Sequence, residues 1–226
     1  KTKKQIQKTI LDFNMDSHLL RFKDDKLFVF IDFETENLCL NFSNNVPWQM
    51  AMLKSKGGEK TDERDIMIEW DRKVNVSAEA AKITRFSYDK YNKLKIPHTE
   101  AFEVMEQWLE EADYIVGHNI LGFDMYLISE YYKKMGKSAM HLIDKAIDTY
   151  CLAKAYKLGS EKPSHASLIE YQYTLLNIRQ RGLGGSLQAM GRNFEIEHDY
   201  SKLHDALVDL ELNLKVWNKL KMQLEI

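Results

Sequence analysis

The run Lys26-Leu-Phe-Val-Phe-Ile-Asp-Phe-Glu34 is apolar and rich in β-formers until it ends in acid. Such a run, too short for a helix and bounded by charge, predicts a buried strand over 27–33. Successive side chains alternate faces, so Asp32 and Glu34 leave the carboxyl end of this strand on one face while Phe33 turns into packing on the other. Comparable patterning predicts strands over 48–54 and 65–70, with Gly57-Gly58 and the charged stretch 59–64 between them as a turn, so that the first three strands form a meander. Further along, helical patterns over 78–82, 99–111, 123–135 and 206–221 alternate with strand patterns over 114–116 and 141–147, and helices are expected after Thr149 and Ser186. A meander followed by strand and helix alternation predicts an α/β fold, a mixed five-stranded sheet flanked by helices on both faces.

Two segments stand outside this pattern. Residues 1–25 form an N-terminal extension, predicted helical over 5–22 with Ile6, Ile10 and Phe13 on one side, ahead of a domain over 26–226. Residues 159–185 read as an insertion with a helix over 166–178, then basic Arg179-Gln-Arg181 and Gly182-Leu-Gly-Gly185. Trp48, Trp70, Trp108 and Trp217 all fall on apolar-patterned segments and are expected in the core.

Candidate chemistry starts with the strand-borne pair. Asp32 and Glu34 make a carboxylate clamp at the edge of a sheet, where open α/β folds commonly bind ligands. Asp124 follows a second strand and opens the helix over 123–135, where it either caps the helix or ligates a cation. His204 and Asp209, five apart, do not share a face of one continuous helix. An irregular approach over 200–204, with Asp205 capping the last helix and Asp209 in its early turns, gives them separate settings. Clustered carboxylates repel, and divalent cations placed between them are the usual means of keeping several ionised.

Composition narrows the classes. At 226 residues, 44% hydrophobic and 29% charged, the chain is long enough for one filled core and is not compositionally disordered. Its 32 basic and 34 acidic residues give a net charge of −2, which advertises no strongly basic surface and counts mildly against a high-affinity nucleic-acid coat. Cys39 and Cys151 supply neither a disulfide framework nor a zinc spacing, so a reducing cytoplasm is expected. No apolar stretch approaches the roughly 20 residues needed to span a bilayer, and Lys1-Thr-Lys-Lys4 is not followed by the apolar core of a signal peptide. A cytoplasmic protein of bacterial origin, or a viral one acting in the host cytoplasm, is the expectation.

The motifs occur in a familiar order. Asp32-Phe-Glu-Thr-Glu-Asn-Leu38 resembles D-x-E-T-T-G-L, and Val116-Gly-His-Asn119 with Phe123-Asp124 resembles V-G-H-N-x-x-F-D with one extra residue. His204 and Asp209 supply a third motif, and Ile83-Thr-Arg-Phe-Ser87, Asp148-Thr149 and Ser186-Leu187 match lesser segments. From 27 to 221 the chain resembles the DEDDh, or DnaQ-like, 3′–5′ exonucleases, a family that includes the proofreading subunit of bacterial replicative DNA polymerase. Departures occur at Asn37 and Arg85, where the family has glycine, at Glu36 in place of threonine, and at the insertion.

The resemblance implies an RNase H-like fold and two divalent cations, Mg²⁺ or Mn²⁺, held by Asp32, Glu34, Asp124 and Asp209. It implies His204 as general base and release of nucleoside 5′-monophosphates from a 3′ end, single-stranded DNA ahead of RNA. Thr35, Leu38, Thr84 and Asn119 are implied as substrate contacts, with Leu38 wedged against the terminal base. A polymerase or other replication protein is the implied protein partner. Residue by residue, plainer readings stand beside these: Leu38 as core, Thr84 and Asn119 as turn residues, Arg179 and Arg181 as solvated charge, His118 as a structural hydrogen-bonding residue. The other classes weighed are an exoribonuclease or short-RNA degrading enzyme and a non-catalytic RNase H-like interaction domain, the latter disfavoured by the complete set of ligands and base.

Overall fold

A computed structural model describes residues 17–38, 40 and 45–226. Most of the expected N-terminal helix, and Cys39, lie outside the described residues. Within them Leu20–Phe22 forms a single 3-10 turn, and the Leu20 N–H donates to the Ile226 carbonyl at 2.7 Å.

The first strand, β1 (Phe28–Thr35), pairs antiparallel with β2 (Pro47–Lys56), which pairs antiparallel with β3 (Glu59–Glu69). Gly57 and Gly58 join the last two with φ of +62° and +81°, the left-handed pair that a tight hairpin demands. The charged stretch 59–64, expected as turn, is instead the outer half of β3. Its side chains face water, where an antiparallel strand tolerates charge, and Lys60 pairs with Glu63 and Glu211. Helix α1 (Ala78–Thr84) and helix α2 (Tyr88–Leu94) then lead to β4 (Lys95–Pro97), a short strand parallel to β3. The expected strand over 141–147 is a 3-10 helix, Met140–Lys145, followed by β6 (Ala146–Asp148); the buried Leu142 supplied the apolar signal.

With β5 (Tyr114–Gly117) parallel to both β1 and β6, the sheet has six strands in the order β4-β3-β2-β1-β5-β6. The added strand is β4, too short and too polar to announce itself by pattern. Helices α3 (His98–Glu111) and α4 (Asp124–Lys134) cover one face, where Phe102, Met105, Ile128 and Tyr132 pack on Val29, Ile31 and Phe33. Helices α5 (Thr149–Leu158), α7 (Leu187–Asn193) and α8 (Ala206–Leu220) cover the other, where Leu152, Leu210, Leu214 and Trp217 meet Phe28 and Phe30. All four tryptophans are buried.

The insertion is part of the fold rather than an appendage. Its helix α6 (Leu168–Leu176) opens on a reciprocal cap between Ser167 and Glu170, then lies along the sheet's β6 edge. There the side chain of Gln172, fully buried, completes the edge strand: its Oε1 accepts the Asp148 N–H at 2.6 Å and its Nε2 donates to the Ala146 carbonyl at 3.0 Å. Lys154 of α5 donates its buried Nζ to the carbonyls of Leu175, Leu176 and Ile178 at 3.0, 3.1 and 3.2 Å, a cation at the end of the helix where orphan carbonyls collect.

Replacing Gln172 by Met keeps the volume and removes both hydrogen bonds, stranding two buried backbone groups. A cost of about 2 kcal/mol follows, or a melting temperature lower by about 4–8 °C. Thermal unfolding of Gln172→Met checks this, and an unchanged transition would mean that the insertion is not coupled to the sheet.

Candidate active site

Strand alternation decides where the acids point. Val29, Ile31 and Phe33 enter the first core, Phe28 and Phe30 the second, and Asp32 and Glu34 continue the second face toward α8. Asp32 lies opposite Ala51 and Glu34 opposite Gln49, and the pairing shifts register just after Glu34. Because Leu210, Leu214 and Trp217 seat α8 on this same face, Asp209 in its first turn arrives beside the pair.

Asp124 comes from the opposite layer. It is the first residue of α4, only 3% exposed, and its Oδ1 accepts the Phe33 N–H at 3.3 Å. This is a link to β1 and not a helix cap. The turn that delivers it is fastened by Asp148, whose fully buried carboxylate accepts the N–H groups of Asn119, Leu121, Tyr150 and Cys151 at 3.0, 3.1, 2.9 and 3.1 Å. One carboxylate therefore ties the start of α5 to the loop before α4.

His204 is exposed, with a left-handed φ of +69°. Its N–H points at the Asp209 carboxylate, 3.2 and 3.3 Å from the two oxygens, so the third motif closes on itself. Asp205, expected as a side-chain cap for α8, makes no cap hydrogen bond. A buried polar chain fixes α8 from below: His118 Nδ1 lies 3.0 Å from Thr149 Oγ1, which donates to Asn213 Oδ1 at 2.7 Å, one helical turn after Asp209. Burial pushes the His118 imidazole down to about 4, so it sits there neutral, in the structural role expected of it.

The exonuclease family model matches residues 29–217, most of the chain, from β1 into α8. This chain belongs to the RNase T exonuclease family. No curated protein matches it. Among solved structures it resembles E. coli exonuclease I in complex with a dT13 oligonucleotide, with 15% identity and a TM-score of 0.66 over 88% of this chain and 41% of that one. The zinc-bound E. coli ExoI–ssDNA complex matches with 15% identity and a TM-score of 0.67 over 87% of this chain and 40% of that one. An ExoI/SSB-Ct complex matches with 14% identity and a TM-score of 0.63 over 88% and 41%. These likenesses carry the fold, and the chain spans about two fifths of the length of those proteins.

Within this exonuclease fold the acids form one electrostatic set. Burial pushes Asp32 up to about 8, with the charge of Asp209 adding to it. Glu34 is pushed up to about 9, by burial and then by Asp32, Asp209, Asp124 and Asp205. Asp124 is raised well above the usual carboxylate range by burial and Asp32, and Asp209 is pushed up to about 6 by burial. Among the described residues no group of three His, Cys, Asp or Glu side chains is already arranged to grip an ion. Asp124 and Asp209 are turned instead onto backbone N–H groups. Mutual repulsion among hard oxygen donors is nevertheless the chemistry that a divalent cation relieves, and the four carboxylates are a donor set of that kind.

The implied substrate residues divide. Leu38 is 54% exposed and is not core. Thr35 is buried, its Oγ1 donating to the Asn37 carbonyl at 2.5 Å, and Thr84 Oγ1 donates to the Ala80 carbonyl of its own helix at 2.9 Å. Asn119 takes the turn conformation at φ +70°. Arg179 and Arg181 are exposed. Asn37 keeps an ordinary backbone, so asparagine's tolerance of left-handed conformations is not what admits it there; Asn45 Oδ1 accepts its N–H at 3.1 Å. Glu36, where the resemblance has threonine, is a buried anchor: Arg72 grips both oxygens at 2.7 and 2.6 Å, and the Asn75 N–H adds a third bond at 2.5 Å. Sequence reasoning missed Asp148, Gln172 and Asn213 as supports; only the Asp148-Thr149 match after a strand signalled one of them.

Raised carboxylate pKa values carry a stability sign. Between the unfolded value near 4 and the folded values near 6 to 9, the folded state holds more protons, so metal-free stability falls as pH rises from about 5 to about 9. In EDTA the melting temperature should decline across that window, and Mn²⁺ should restore it most at the alkaline end. Asp32→Asn, which removes one of the repelling charges, should raise the EDTA melting temperature at pH 8 by about 2–5 °C. A lower value for that variant would contradict the repulsion described here.

Proposed function

We propose that this chain hydrolyses the terminal phosphodiester at the 3′ end of single-stranded DNA and releases nucleoside 5′-monophosphates. The observation that carries the reading is the convergence of Asp32, Glu34, Asp124 and Asp209 into one mutually repelling set, with His204 held on Asp209 by its own backbone. The family membership supports hydrolysis of nucleic acid, and the dT13 bound to exonuclease I supports DNA as the strand.

Asp32, Glu34, Asp124 and Asp209 would hold two divalent cations. When bound, these ions lower the pKa of the attacking water and offset charge developing on the phosphoryl and leaving oxygens. His204 accepts the water's proton on an imidazole nitrogen as the water oxygen bonds to phosphorus. The bond from phosphorus to the 3′ oxygen of the penultimate nucleotide breaks, and that oxygen takes a proton from solvent to become the strand's new 3′ hydroxyl. His118 is unsuited to that task because it is buried and held neutral by its surroundings. Leu38, exposed just past β1, packs against the terminal base, the Thr35 backbone meets the terminal sugar, and Asn119 and Thr84 border the strand. Residues 26–226 act as one catalytic domain behind the N-terminal extension, with a polymerase or another replication protein as partner; the ExoI/SSB-Ct complex supports a protein partner, without saying which.

Strands labelled at the 5′ end should shorten one nucleotide at a time with Mg²⁺ or Mn²⁺, and EDTA should stop the reaction. His204→Ala should lower kcat by about 10²- to 10⁴-fold while metal-dependent binding of the strand survives. Internal fragments, or full turnover in EDTA, would reject the mechanism, and preferential shortening of RNA in the same panel would reject DNA as the substrate.

A further inference from the structure

Arg85 ends α1 in a backbone conformation better suited to glycine. Its φ of 57° and ψ of 34° are left-handed, where a Cβ crowds the neighbouring carbonyl. A residue whose task was only to terminate the helix would be free of that strain if it lacked a side chain. That strain draws the question to what the side chain reaches.

What it reaches is the approach to His204. Arg85 Nη2 donates to the Ser201 carbonyl at 2.7 Å, across 116 positions of sequence. Ser201 belongs to the 3-10 turn Tyr200–Lys202, and Arg85 and His204 both line a cavity of about 200 Å³ with Thr84, Gln49 and Lys90. The approach is held elsewhere by Arg192, whose guanidinium lies 4.7 Å from the centre of the Tyr200 ring, and by Asp199, which accepts the Ser201 hydroxyl at 2.6 Å. Of these contacts only the Arg85 bond ties the turn to the β2–β3 side of the site. His204 itself has a left-handed φ, so its backbone depends on neighbours to keep it in place.

Resting on the reading of His204 as general base, the geometry points to Arg85 as a positioning residue: its guanidinium tethers the Ser201 carbonyl to the end of α1 and so holds His204 beside Asp209. Strain at position 85 and function at position 204 are then opposed, which makes the two separable by mutation.

Three variants test this. Arg85→Gly relieves the left-handed backbone while cutting the tether, so its melting temperature should stay within about 2 °C of the parent or rise. Its kcat on 5′-labelled single-stranded DNA should fall about 10- to 100-fold with KM within about threefold. Amide exchange over 199–205 should accelerate in Arg85→Gly and stay unchanged in β1. Arg85→Ala keeps the strain and loses the tether, so both stability and kcat should drop. Arg85→Lys, still a donor, should recover most of the turnover. If KM rises and kcat holds, Arg85 binds the strand's phosphates and the inference fails; unchanged kcat and exchange in Arg85→Gly overturn it as well. Undiminished turnover in His204→Ala would instead remove the base from the proposed function, a failure distinct from a missing tether because the exchange measurement reports the tether without reference to activity.

Discussion

Like charges repel, and this fold drives four carboxylates onto the carboxyl end of one strand. Everything near the site is arranged to withstand that. Asp32 and Glu34 have no choice of direction, because moving them to the other face would exchange Phe28 and Phe30 with Val29, Ile31 and Phe33 between two filled cores of different shape. Misfitting side chains in a packed core costs roughly 1–3 kcal/mol a site, so the two cores fix the register and the acids inherit it.

Asp124 and Asp209 reach that end from opposite layers, and each is fixed by polar contacts farther out. Asp148 gathers four backbone N–H groups and so sets the turn before α4, while Gln172 holds the Asp148 backbone from the insertion helix. The His118, Thr149 and Asn213 chain does the same for α8. Asp148, Gln172, Thr149 and Asn213 are buried, and a buried polar group without a partner is costly, so these contacts resist rearrangement. That makes the site's geometry a property of the packed domain rather than of its loops.

How much of this is legible in the sequence follows from the range of each signal. Alternation along Phe28–Thr35 is local, so the direction of Asp32 and Glu34 can be read from the sequence alone. The meander and the long helices follow from local patterning too. Strand β4 is not legible, since Lys95–Pro97 acquires its strand character only by pairing with Met67–Glu69. The outer half of β3 misleads for the opposite reason: its charges are those of a solvated strand, and composition alone does not separate that from a turn. Gln172 and Asn213 look like ordinary helix surface residues until the sheet edge and α5 are set against them. At Glu36 the departure from the resembling motif looks like a defect, and the Arg72 pair turns it into an anchor whose partner lies 36 residues away.

The insertion shows the same logic at larger scale. By composition it is a loop with a helix and a basic tail, the usual description of an appendage. Its helix nonetheless supplies the hydrogen bonds that β6 would otherwise lack, and Lys154 returns a cation to the end of that helix. Gln172 closes an edge strand whose last residue is Asp148, so a change there bears on the carboxylate that fastens the turn before Asp124. Any tuning of substrate choice by this region must therefore come from its outward surface, where Tyr173 is 40% exposed, and not from Gln172 or the apolar residues that seat it.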